Sequence, residues 1–244
     1  MTAAAAPSPQ LYARLCGAAY LGIVALGVCG ELAVRGTVVV SGDAAATAAN
    51  IHSSEALWRA GIAGDLLMHV LDVPVLVLLY LLLRPVGRGL ALFATAAQAV
   101  QTAVLAVNKL VLLAPLFLLG EAAYLKAFTP EQLQALSYVA IRMHAFGFGI
   151  GLVFFGCACL ARGYLIFLSG YLPKALGVLM ALAGLCYLIN SFAMLLAPAL
   201  ARAIFPAILL PPFVAELALS LWLLAKGVDV AGWRRVSERR ADVP

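Results

Sequence analysis

Six separate runs of this chain are each long and apolar enough to cross a bilayer, and together they occupy most of its length. A helix rises about 1.5 Å per residue, so about 20 residues cross the ~30 Å hydrocarbon core. Lipid offers no partner to backbone N–H and C=O groups, so a spanning run this long must be a helix, which satisfies them within itself. The reading is all-α: a polytopic membrane helix bundle with six transmembrane helices. They fall at about Leu15–Val34, Ala60–Leu83, Gly89–Leu119, Glu131–Phe167 (most apolar over Val139–Ala161), Lys174–Leu196 and Ile208–Ala225. Composition agrees, with 65% hydrophobic residues, 11% charged and a mean hydropathy of +1.05. A soluble domain has about 45–50% and about 25%. The excess is spread along the chain, which describes one membrane domain rather than a soluble domain with an anchor.

Residues 1–10 read as a disordered Ala/Pro/Ser tail, 11–227 as the six-helix domain and 228–244 as a basic cytoplasmic tail. The first apolar run lacks a preceding basic region and is too long for a cleaved leader, so it reads as a retained helix. Asp43 is placed to cap a short helix through Asn50, and Thr129 with Pro130 and Gln132 forms a helix start. Trp58 suits a membrane-interface position, and Pro74 should kink the second span or free a carbonyl. Six spans put both termini on one side. That side holds Arg14, Arg84, Arg88, Arg162, Lys174, Lys226 and the tail arginines, and the other holds Arg35, Arg59, Lys126 and Arg202. The imbalance predicts cytoplasmic termini. The net charge of +5 therefore reads as topology, not nucleic-acid binding.

Within the spans, ionisable residues are the informative exceptions, since each costs about 2.5–3.5 kcal/mol at membrane depth on insertion scales. Asp65, His69 and Asp72 fall within about 60° of one another on one face of the second span. His144 lies in the fourth span and Glu216 in the sixth. These five are the candidate catalytic acids, bases and proton carriers. Glu31, Arg59, Asn108, Arg142 and Asn190 are candidate binding residues around them. With the topology above, most lie in the outer half, beside a plain inner half in which Gln98 and Gln101 are the main exceptions. That distribution predicts a polar cavity open toward the outside. A competing reading pairs Arg59, Lys109 and Arg142 with Glu31, Asp65, Asp72 and Glu216, purely to fix helix packing.

No HExxH, paired-cysteine, Walker or GxSxG pattern occurs, which argues against zinc hydrolase, ATPase and serine-hydrolase chemistry; Asp65 and His69, four residues apart, are metal-ligand types, but no motif assigns a metal and the cofactor stays open. Cys16, Cys29, Cys157, Cys159 and Cys186 lie in apolar runs, where cysteine behaves as a small hydrophobe. The glycines from Gly147 to Gly151, and Gly177 with Gly184, suit close helix approach.

An ordered string of motifs adds a resemblance. It comprises Gly42-Asp43 through Asn50-Ile51, then Arg59, Asp65 and Asp72-Val73, then Leu82-Leu83-Arg84-Pro85-Val86. Gly151-Leu152-Val153-Phe154-Phe155-Gly156, Gly163-Tyr164-Leu165-Ile166, Ser169-Gly170-Tyr171-Leu172-Pro173 and Gly177 follow. Over about residues 11–227 the chain resembles the bacterial domain-of-unknown-function family 4386. The resemblance implies a multi-span protein of the bacterial cell membrane with six or seven helices, and no activity. Similar proteins often carry an acid after the fourth-span histidine, where this chain has Ala145. The expected function is a membrane-embedded enzyme or binding protein whose partners are the lipid bilayer and a lipophilic small molecule. Alternatives are a proton-coupled small-solute transporter and a non-catalytic sensor or stress component.

Overall fold

The structure, a computed structural model, describes residues 8–241. Six long helices run through it: Pro9–Val38, Glu55–Leu83, Arg88–Leu118, Pro130–Ser169, Lys174–Leu196 and Ala207–Ala225. All six are long and apolar enough to cross a membrane, and they are called the first to sixth spans below. The first helix starts at Pro9, inside the stretch expected to be a disordered tail, and Ser8 caps it by accepting from Leu11 N–H. Residues 1–7 of that expected tail lie outside the described residues.

Each span packs on its chain neighbours, and the sixth returns to pack on the first, so the six close into a ring. The ring has a mostly apolar core that includes the buried polar residues, and its outer surface is apolar. On the second span Asp65, His69 and Asp72 are buried, while Leu66, Val70, Val73 and Val77 on the same helix are exposed. A soluble protein would leave that apolar belt in water; in a bilayer it faces lipid.

Both described termini lie at one end of the ring, here the tail end. Gln10 donates to the Lys226 carbonyl at 2.9 Å and accepts from Val228 N–H at 3.0 Å. The segment after the sixth span forms a further helix, Val230–Ala241, which folds back across this end. Trp233 Nε1 and the Tyr171 hydroxyl both donate to the Leu82 carbonyl, at 3.0 and 2.6 Å. They satisfy an acceptor that the last turn of the second span leaves without an intrahelical donor. The fourth span stops at Gly170, whose positive φ of 71° suits a residue without Cβ.

The opposite end, the cap end, carries the short helix Ala44–Ser53, capped by Asp43 accepting from Ala46 N–H at 2.8 Å. The Thr129 capping box is formed, with Gln132 reaching back to the Thr129 N–H at 2.9 Å. Trp58 differs from its interfacial expectation. It is buried and donates from Nε1 to the Leu112 carbonyl at 2.9 Å, within a cluster that includes Val34, Ile51 and Ile62. The short helix covers this part of the ring and turns the indole inward. Pro74 lies inside an unbroken second span.

Glycines set the spacing between the fourth and fifth spans. A Cβ on Gly163 would stand 2.6 Å from Ala181 N, and one on Gly184 would stand 2.7 Å from the Gly156 carbonyl oxygen. Only glycine permits these backbones to approach so closely. The five cysteines are all free, and Cys16, Cys159 and Cys186 are buried.

Candidate functional site

The interior polar residues form three levels along the ring. Counted at about 1.5 Å per residue from the tail ends of the helices, Arg162 stands about 10 Å up, Asp72 and Glu216 about 15 Å, and Asp65 and Lys109 about 30 Å.

The level nearest the cap end is an ion cluster on Asp65. One carboxylate oxygen accepts from Arg35 Nη1 at 2.7 Å and from Lys109 Nζ at 2.9 Å. Lys109 Nζ also lies 3.2 Å from His144 Nε2, and Asn108 donates to the His144 backbone carbonyl at 2.9 Å. Arg35 reaches this cluster because the first helix does not end at Val34. It continues through a wide π turn, Cys29–Arg35, and on to Val38. Such π turns are frequent at functional positions. Gly30 in that turn lies against Asp65; a Cβ there would stand 2.7 Å from Asp65 Oδ1. Oδ1 itself is buried and lacks a hydrogen-bond partner among the described residues.

The middle level holds carboxylates with no salt-bridging Lys or Arg among the described residues. Asp72 accepts from Gln98 Nε2 and from the Thr102 hydroxyl, both at 3.3 Å, and His69 Nδ1 lies 3.3 Å from the same group. Charge-assisted bonds are usually ~2.7–2.9 Å, so Asp72 is held loosely. His69 Nε2, Gln98 Oε1, Gln101 Oε1 and Ser191 Oγ are buried without hydrogen-bond partners among the described residues. Buried polar atoms are ordinarily satisfied, by ordered water where protein supplies nothing. Glu216 is held by two phenols: Tyr20 donates to Oε2 at 3.0 Å, and Tyr187 donates to Oε1. Tyr187 also packs against Phe155, with ring centroids 5.5 Å apart.

The deepest level is Arg162, 2% exposed, with neither Nη1 nor Nη2 hydrogen-bonded among the described residues. This corrects the expectation of a plain inner half. The fourth helix continues to Ser169, and Arg162 is buried on it rather than set at a boundary with the other tail-side charges.

The candidate residues thus divide. Asp65 and His144 share the cap-side cluster, His69 and Asp72 share the middle level, and Glu216 lies near Asp72. Glu31 is exposed and serves as the second acceptor of Arg35, at 2.8 Å. Asn190 is buried and reaches Met194 Sδ at 3.8 Å. Arg59 is exposed on the second span and pairs with Glu55 at 2.7 Å, and Arg142 is exposed on the fourth. Each follows from helix phase: at 100° per residue Arg59 points about 120° from Asp65, and Arg142 about 160° from His144. Of the three cations expected to pair with the interior acids, Lys109 does so, on Asp65, while the second cation on Asp65 is Arg35 rather than Arg59 or Arg142. Tyr20, Tyr187 and Thr102 joined the site without a sequence signal, because hydroxyls are ordinary in membrane helices. Among the described residues no three His, Cys, Asp or Glu side chains come together as a metal ion would require.

Comparison with known proteins places this architecture. An uncharacterised protein of the archaeon Archaeoglobus fulgidus is 27% identical over 166 residues, which is 68% of this chain and 83% of that one. No solved structure matches. The profile of a domain of unknown function, DUF4386, matches residues 15–227, covering all six spans except the first turns of the first helix. The chain belongs to the DUF4386 family.

Proposed function

We propose that this protein is a proton-coupled carrier of a small solute, seen here with its interior closed. The observation that carries this reading is the middle level. Asp72 and Glu216 are interior carboxylates held by neutral donors or histidine rather than by a salt-bridging Lys or Arg. Neither has a fixed cation bound to it, whereas Asp65 is flanked by Arg35 and Lys109. Intramembrane carboxylates and histidines of this kind mark proton relays. The levels run from Arg35 near the cap end to Arg162 near the tail end, as a through route requires. His144 stands in the cap-side cluster and His69 in the middle level, and the unpartnered atoms of His69, Gln101 and Ser191 favour interior water. In this reading the tail end is cytoplasmic, since the basic side chains concentrate there.

A second reading follows from the His69–Asp72 pair. An imidazole with Nδ1 against a carboxylate and Nε2 unpartnered is the arrangement of an oriented general base. It suits a membrane-embedded enzyme acting on a lipophilic small molecule.

Purified protein in vesicles with an entrapped pH indicator separates the two. A carrier gives solute-dependent proton movement across a panel of small acids, amines and neutral polar compounds, and loses it in Asp72→Asn and Glu216→Gln. If no compound moves protons through the inserted wild-type protein, and cell lipids or small molecules change only when Asp72 is intact, the enzyme reading replaces it.

A further inference from the structure

At the tail end, the turn between the fourth and fifth spans faces the segment that leaves the sixth. Both bend at a glycine with positive φ, 71° at Gly170 and 72° at Gly227. They are tied in place: Asp229 N–H donates to the Tyr171 carbonyl at 3.2 Å, and Gln10 accepts from Val228 N–H at 3.0 Å. A cleft of about 420 Å³ stays open between them, bordered by Tyr171, Pro173, Trp222, Lys226 and Asp229. Small-molecule sites occupy roughly 300–1,000 Å³, so the cleft has room for a ligand.

Two opposite charges line it. Lys226 is exposed, and its ammonium has no hydrogen-bond or ion-pair partner among the described residues. Asp229 Oδ1 accepts from Ala231 N–H at 3.1 Å, and Oδ2 faces Arg235 at 3.9 Å. Both side chains of that pair are more than half exposed, so the contact is weak and leaves Oδ2 able to accept. The remaining wall is apolar. Trp222, in the last turn of the sixth span, is 37% exposed, and its neighbours Leu221 and Leu224 are 48% and 38% exposed. Trp222 thus joins the cleft to the belt that faces lipid, at the depth where tryptophan collects in membrane proteins.

We infer that this cleft is a headgroup site for a phospholipid of the tail-side leaflet whose headgroup carries a phosphate and a primary ammonium, as in phosphatidylethanolamine. Lys226 pairs with the phosphate, Asp229 Oδ2 accepts from the ammonium, and Trp222 packs on the glycerol and the upper acyl chain. A quaternary ammonium offers Asp229 no N–H donor, and a glycerol headgroup offers it no positive charge. A soluble zwitterion would meet both charges but leave Trp222 and the adjoining apolar belt uncovered, which favours the lipid. The site stands apart from the carrier reading and holds whether or not Asp72 and Glu216 move protons.

The full chain in neutral detergent is titrated with phosphatidylethanolamine, phosphatidylcholine and phosphatidylglycerol of matched acyl chains, and with glycerophosphoethanolamine as the free headgroup. Binding is read by native mass spectrometry and by the rise in unfolding temperature. The expected result is one saturable phosphatidylethanolamine, held at least about fivefold more tightly than phosphatidylcholine or the free headgroup, the difference one exposed ion pair makes. Lys226→Gln weakens phosphatidylethanolamine and phosphatidylglycerol alike. Asp229→Asn, which keeps the bond to Ala231 N–H, weakens phosphatidylethanolamine severalfold and leaves phosphatidylglycerol unchanged. Both positions are exposed, where substitution leaves the fold intact. No saturable phosphatidylethanolamine, equal affinity for phosphatidylcholine, or binding that neither substitution changes overturns the inference. So does phosphatidylglycerol held more tightly than phosphatidylethanolamine and lost in Lys226→Gln. Free headgroup bound as tightly as the lipid assigns the cleft to a soluble zwitterion and overturns it too.

Discussion

Replacing Asp65 by Asn tests the cap-side cluster most sharply. Asp65 is 1% exposed and holds Lys109, itself 3% exposed, together with Arg35. Removing the carboxylate leaves two cations facing each other at membrane depth. Lys109 keeps the His144 ring at 3.2 Å and the face of Phe148 at 6.0 Å, and Arg35 keeps Glu31, an exposed pair of the kind worth ~0–1 kcal/mol. Breaking a buried pair from one side costs about 3–5 kcal/mol. An ordinary interhelical hydrogen bond in a membrane protein is worth only about 0.6 kcal/mol on average. The measured value therefore decides between a charge cluster and a mere polar contact. Reversible unfolding in mixed micelles should show Asp65→Asn losing about 3 kcal/mol or more. Adding Lys109→Met should recover part of that loss, because it removes the uncompensated cation; a double-mutant cycle then gives a coupling of about 1 kcal/mol or more. A loss below about 1 kcal/mol, or a cycle that adds without coupling, refutes the cluster as a load on folding.

Three further outcomes follow from the geometry. Arg59→Gln and Arg142→Gln, both exposed, should each change stability by less than about 0.5 kcal/mol in the same assay, in contrast to Lys109→Gln. Gly163→Val should destabilise the packing of the fourth and fifth spans by about 1–3 kcal/mol, since its Cβ would meet Ala181 N at 2.6 Å and the Gly177 carbonyl oxygen at 2.7 Å. Tyr187→Phe should cost about 1 kcal/mol for the lost bond to Glu216, measured by thermal unfolding, and should alter the pH dependence of any proton movement.

The sequence carried the fold further than it carried the site. Hydropathy located all six spans, because lipid leaves the backbone few alternatives. Asp43 and Thr129 announced their helix starts, because capping is a local hydrogen bond between residues close in the chain. The inward face of Asp65, His69 and Asp72 was legible for the same reason: helix phase is local. Partner choice was not. Arg35 meets Asp65 through a π turn that extends the first helix beyond its apolar run, and nothing in the hydropathy of residues 29–38 signals that continuation. Arg162 was counted among the charges of the tail side, at the end of the fourth span's most apolar part, because a buried arginine and a boundary arginine look alike in sequence. Its depth depends on where the fourth helix stops, at Gly170. The tyrosines on Glu216 come from the first and fifth spans, and only the closing of the ring brings them together.

Infrared difference spectroscopy of the membrane-inserted protein, recorded as the pH is lowered, measures directly whether the middle level exchanges protons with water. The account predicts a carboxylic acid C=O band that appears reversibly on acidification, shifts in deuterated buffer, and loses separate components in Asp72→Asn and Glu216→Gln while Asp65→Asn leaves those components in place. A wild-type protein with no such band, or a band that both substitutions leave intact, would contradict it.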